Sequence, residues 1–120
     1  MVAIVVARGL RLAVVEDSLA DNGWRVVSVG TTVEAIEQFH AHHPDVGLVV
    51  VDGCEHMQDE PALFVSAVRS SGYKGLVAGV ACHDDHWKEL TLAGYHHVLS
   101  GEVLLAHNLA LLARDAMTRM

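Results

Sequence analysis

The stretch Val46-Gly47-Leu48-Val49-Val50-Val51-Asp52-Gly53 constrains the fold more than any other. Five apolar residues fall in its first six positions, four of them β-branched, and a carboxylate follows. A short, continuous, β-branched run reads as a strand buried on both faces. Such a strand requires a parallel sheet with helices on each side. Asp52 then stands at the carboxyl end of the strand, where open α/β sheets place their ligands and chemistry.

The remainder of the chain alternates in the same sense. Residues 2–7 form an apolar, β-rich run. Residues 10–22 carry apolar side chains at helical spacing, at 12, 15 and 19, and Asn22-Gly23 stops that helix. Strands are expected at 24–29, 46–51, 76–81 and 96–99. A second helix opens at Thr31, with Glu34 three residues on as a capping box, and breaks at His43-Pro44-Asp45. Its stripe is Val33, Ile36 and Phe39-His40. A third helix spans 62–71, with Pro61 in its first turn and Leu63, Phe64, Ala67 and Val68 on one side. A fourth spans 84–93 and ends at Gly94, and a last amphipathic helix spans 102–117. Alternating strands and helices imply right-handed crossovers. The expected fold is α/β: a doubly wound, five-stranded parallel sheet, order 2-1-3-4-5, with helices on both faces.

With 120 residues, the chain fits one domain, 1–120, either complete or the N-terminal module of a longer protein. Apolar residues make up 52% and aromatics 5%, so the core must be aliphatic. The net charge of −7, with eight scattered basic residues, argues against direct contact with nucleic acid. No run approaches the ~18 to 20 apolar residues of a membrane span, and the N-terminus lacks a basic leader. A cytoplasmic location is expected. Two cysteines imply no disulfide framework.

Three stretches together resemble the receiver domains of bacterial two-component response regulators. Gly23-Trp24-Arg25-Val26-Val27 with Val33-Glu34-Ala35-Ile36-Glu37 is similar to the family's second strand and helix. His43 through Asp52 is similar to its third strand with the phosphate-accepting Asp. Ala93-Gly94-Tyr95-His96-His97-Val98-Leu99-Ser100 is similar to the segment entering its fifth strand. The run Val14-Val15-Glu16-Asp17-Ser18 mimics the family's first strand and acidic pair. It leaves too few residues before Trp24 for a crossover helix, so Glu16 and Asp17 are expected on the solvated face of the first helix.

The resemblance implies a phosphorylation apparatus that this sequence keeps only in part. The acceptor position is Asp52. The family's two metal-holding acidic residues fall on Ala7 and Arg8. Its hydroxyl at the end of the fourth strand falls on Gly79 or Val80, its lysine after the fifth on Gly101, and its switch aromatic on Val98. Phosphoryl transfer to a carboxylate needs charge neutralisation, and one carboxylate is a poor start for Mg²⁺. Mg²⁺ is therefore not expected. Arg8 is a candidate to reach Asp52 and replace the metal's charge.

The leading expectation is an atypical receiver: non-enzymatic, phosphorylation-independent, acting through a protein partner or as a homodimer. The face of the fourth helix, fifth strand and fifth helix is the expected contact surface. One alternative is a metal- or ligand-sensing flavodoxin-like domain. It would use Cys54, His56, Cys82, His83 and His86, suited to Zn²⁺ or Cu but in spacings that match no strong metal signature. The other is a functional phosphoreceiver with Asp52 as acceptor.

Overall fold

The computed structural model describes residues 1–7, 9–53, 59–101 and 104–119, with the backbone alone for Leu10 and residues 59–62. The elements alternate as β1 (Val2–Val6), α1 (Leu10–Ala20), β2 (Arg25–Val29), α2 (Thr32–His42), β3 (Val46–Asp52), α3 (Asp59–Ser70), β4 (Leu76–Ala81), α4 (Asp84–Ala93), β5 (His97–Ser100) and α5 (Leu105–Thr118). All strand pairs are parallel, in the order β2-β1-β3-β4-β5. The expected doubly wound sheet is the fold observed.

The pleat explains how the helices divide. Side chains alternate across a strand, so each central strand feeds two cores. Val49 and Val51 of β3 pack with Phe39 of α2, Phe64 and Val68 of α3 and Leu90 of α4. Leu48 and Val50 pack with Val15 and Leu19 of α1 and Leu109 and Leu112 of α5. All seven residues of β3 are buried, as a strand covered on both faces requires. Between α1 and β2, the Trp24 indole Nε1 donates to the Ala113 carbonyl at 3.0 Å and ties the turn to α5.

The caps follow their sequence signals. Thr31 Oγ1 accepts from the Glu34 N–H at 3.1 Å. Gly94, at φ 104°, closes α4 in the left-handed conformation that favours glycine. The α2 stripe keeps Ile36 and Phe39 but not Val33, which is 64% exposed; Thr32 and Ala35 are buried in its place. In α3 the core takes Phe64, Val65 and Val68, leaving Leu63 exposed. The last helix begins at Leu105, later than expected, because Leu104 at φ 53° cannot continue a right-handed helix. Residues 102 and 103 lie outside the described residues. Strand β5 runs one residue later than expected. Among the described residues, no helix is long and apolar enough to cross a membrane.

Candidate functional site at the carboxyl edge of the sheet

Asp52 ends β3 and is 1% exposed. Its place in the alternation puts it on the same side as Leu48 and Val50, towards α1 and α5. A buried carboxylate needs a partner, because an isolated buried charge is costly. Arg11, in the first turn of α1, supplies one. Its Nε donates to Asp52 Oδ2 at 2.9 Å, with the arginine side chain 27% exposed.

The sequence expectation placed a guanidinium on Asp52 and named Arg8. Arg8 lies outside the described residues, and the guanidinium seen on the carboxylate belongs to Arg11. A signal for this was present. Arg11 lies four residues before Val15, on the stripe of α1 that faces the sheet, and a cation on such a stripe calls for a buried anion.

The described strand positions beside Asp52 are apolar. Val6 pairs with Val51, which brings the next residue, Ala7, level with Asp52; Ala7 is buried. On the other side Asp52 pairs with Val80, itself fully buried. This register selects Val80, over Gly79, as the residue beside the carboxylate. The Gly53 N–H donates to the Val80 carbonyl at 2.8 Å, and the Gly101 N–H to the Ala81 carbonyl at 2.8 Å. Gly101 thus closes the edge beyond β5 and lines a groove of about 470 Å³ with Arg11, Val14, Leu104 and Leu105. Val98 packs on the opposite side of the sheet, against the α2–α3–α4 core.

Magnesium takes an octahedral set of oxygen ligands. The described residues level with Asp52 offer a carboxylate already engaged by a guanidinium, the methyl of Ala7 and the isopropyl of Val80. That donor set does not fit the ion.

The Cys/His candidates are only partly brought together. Cys54 and His56 lie outside the described residues. His83 caps α4 and is exposed, and its ring lies 5.0 Å from that of His86. The His86 Nδ1 is buried without a hydrogen-bond partner. Cys82, directly after β4, is disulfide-bonded, which corrects the expectation that the cysteines form no disulfide and removes a thiolate from the ligand set. Among the described residues, no group of three or more His, Cys, Asp or Glu side chains is arranged to hold a metal ion.

One further group differs from expectation. Glu16 is half-buried and accepts from Ser28 Oγ at 2.8 Å, so it ties α1 to β2 and is not simply solvated; Asp17 is exposed. At the opposite edge of the sheet, Arg69 donates to the Tyr73 and Gly75 carbonyls at 2.9 and 3.0 Å. It also meets His96 Nδ1 at 2.7 Å. Burial, then the cations Arg69, His97 and Arg119 around it, holds the His96 imidazole below its ordinary pKa.

No family model and no curated protein matches the chain. Its fold does match solved structures. The receiver domain of the sensor histidine kinase PA1611 from Pseudomonas aeruginosa PAO1, with magnesium in its active-site cleft, is 14% identical. It aligns with a TM-score of 0.79 over 97% of this chain and 96% of that one. The beryllofluoride-activated NtrC4 receiver domain dimer is 15% identical, with a TM-score of 0.77 over 98% and 96%. A putative pilus assembly protein, CpaE, from Burkholderia thailandensis is 22% identical, with a TM-score of 0.72 over 98% and 99%. The chain therefore has the fold of response-regulator receiver domains.

Proposed function

We propose that the protein is an atypical receiver domain, a non-enzymatic signalling module of the cytoplasm that works without phosphorylation of its acceptor-position carboxylate. The observation that supports this reading is the Arg11–Asp52 ion pair. A guanidinium occupies the carboxylate that a receiver would offer to metal and phosphoryl group, and the side chains of the neighbouring Ala7 and Val80 bring no oxygen. Arginine stays charged at every physiological pH, so the neutralising charge is permanent where a metal's would be exchangeable.

The test is incubation of the chain with acetyl phosphate and Mg²⁺, read by intact mass and by phosphate-affinity electrophoresis. No phosphoryl adduct is expected. A Mg²⁺-dependent adduct that disappears in Asp52→Asn would overturn the reading and restore the phosphoreceiver alternative.

Output on this reading passes through protein contacts. The surface of α4, β5 and α5 exposes Trp87 and Leu92 on α4 and Leu111 on α5, with Leu104 beside its start. Exposed apolar groups favour association with a partner or a second copy. Analytical ultracentrifugation across a concentration series tests self-association there; a monomer at all concentrations leaves a different protein as the partner.

A further inference from the structure

The amino edge of the sheet, opposite Asp52, carries a cleft of about 500 Å³ between the starts of β3 and β4 and the end of α5. Val46, Leu76 and Ala116 give it an apolar lining, and Lys74 and Arg119 add two cations. Two glycines shape it. The β1 ladder pairs with Val46 and then with Leu48, passing over Gly47, and pairing with β4 starts only at Leu48. Register irregularities of this kind bend a strand and recur beside functional sites. At Gly75 the Tyr73 ring leaves no room for a Cβ. That ring is itself held: its hydroxyl donates to the Leu76 carbonyl at 3.0 Å, and the Arg69 guanidinium stands 5.4 Å from its centroid. Arg69 also donates to the Gly75 carbonyl at 3.0 Å. The wall beside Gly75 is therefore built before any ligand arrives, which lowers the ordering cost of binding.

The charge here runs against that of the chain. Net charge is −7, with eight Lys and Arg in all, yet Arg69, Lys74 and Arg119 gather at this edge with His96 and His97. The His96 imidazole registers their field, since Arg69, His97 and Arg119 add to burial in holding its pKa down. Two carboxylates temper it. Asp45 precedes Val46 and is exposed, and Asp115 accepts from Arg119 Nε at 3.1 Å. That contact uses one nitrogen of the guanidinium and leaves the outer two without a partner among the described residues. Lys74 is exposed and makes no ion pair among the described residues.

We propose that this cleft binds a small phosphate monoester, whose phosphate meets Lys74 and Arg119 and whose apolar body covers Val46, Leu76 and Ala116. The guanidinium fork matches phosphate oxygens, and the lysine adds a compact charge for the second negative charge of the dianion. The volume falls within the range of small-molecule sites and exceeds what a bare oxyanion needs. The ligand is held and not transformed. The site stands whether or not Asp52 accepts a phosphoryl group, because the two lie at opposite edges of the sheet.

The test titrates the full chain, followed by amide NMR at neutral pH, with phenyl phosphate, inorganic phosphate, benzoate and benzyl alcohol in turn. Phenyl phosphate should saturate and shift the amides of Gly47, Gly75, Leu76 and Arg119. Inorganic phosphate and benzoate should each bind at least about fivefold more weakly, and benzyl alcohol should not saturate. Lys74→Gln and Arg119→Gln, both at exposed positions, should each weaken phenyl phosphate about three- to tenfold with the unfolding midpoint unchanged. Lys88→Gln, on α4, should leave binding as it is and serves as the control for net charge. Four results would each overturn the proposal: no saturable shift with phenyl phosphate, equal binding of inorganic phosphate or benzoate, unchanged affinity in both cleft variants, or an equal loss in Lys88→Gln. The comparison of the four probes needs no variant to fold.

Discussion

Arg11 Nε lies 2.9 Å from Asp52 Oδ2, and the carboxylate is almost wholly buried while the arginine side chain reaches the surface. Removing the arginine alone takes a cationic partner from a buried charge. Arg11→Met should cost about 2–4 kcal/mol in urea unfolding, the lower part of that range reflecting the partial exposure of the guanidinium. Adding Asp52→Asn should recover part of the loss, with a coupling energy of about 1–3 kcal/mol in a double-mutant cycle. Strict additivity would show that the contact carries no energy.

The residue after Asp52 permits no side chain. A Cβ on Gly53 would stand 2.8 Å from the Val80 carbonyl oxygen and 2.9 Å from a Leu90 methyl. Gly53→Ala should cost about 1–3 kcal/mol, because a strand carbonyl cannot swing aside. At Gly79 the nearest atoms are the Leu90 methyl at 2.9 Å and a Tyr95 ring carbon at 3.2 Å, which are side chains able to shift. Gly79→Ala should therefore cost less. The reverse order of the two unfolding midpoints would contradict this account of the edge.

Acid should weaken the fold partly through His96. Burial and then Arg69 lower its pKa in the folded chain relative to the unfolded value near 6.5. The unfolded state binds the proton more readily, so the contribution is fully present above about pH 6.5 and is lost as pH falls through the lower folded pKa. His96→Gln should flatten part of the fall in melting temperature between about pH 7 and 5. Parallel curves for the two proteins would assign that fall to other groups.

Leu92 projects from α4 and is 88% exposed. Leu92→Glu should change folding stability by less than about 0.5 kcal/mol. Any self-association through that face should weaken, as seen in sedimentation. A large loss of stability would mean that Leu92 supports the fold and not a contact.

Much of this was readable from residue order, because β3 is a run that admits few alternatives. Once Val46 through Val51 is a doubly covered strand, Asp52 must lie at the carboxyl edge. The helix ends were equally local: Thr31 with Glu34, and Gly94, carry their own hydrogen-bonding logic. The errors have a common origin in rotation and register. The apolar stripe of α2 was expected to include Val33 beside Phe39, whereas tertiary packing turns Ala35 inward with Phe39 and leaves Val33 exposed. Arg11 went unread as a cation for Asp52, because only the start of α1 at Leu10 shows that position 11 reaches the sheet.

The indole bond between Trp24 and Ala113 also gives the molecule an optical use. Two tryptophans emit, and their surroundings are opposite: Trp24 is 4% exposed and anchored to α5, while Trp87 is 44% exposed on α4. A water-soluble quencher should divide the emission into a protected and an accessible population. The protected fraction reads whether the last helix is docked, and the accessible one reads what approaches α4, so events at two faces can be followed in one cuvette without a label.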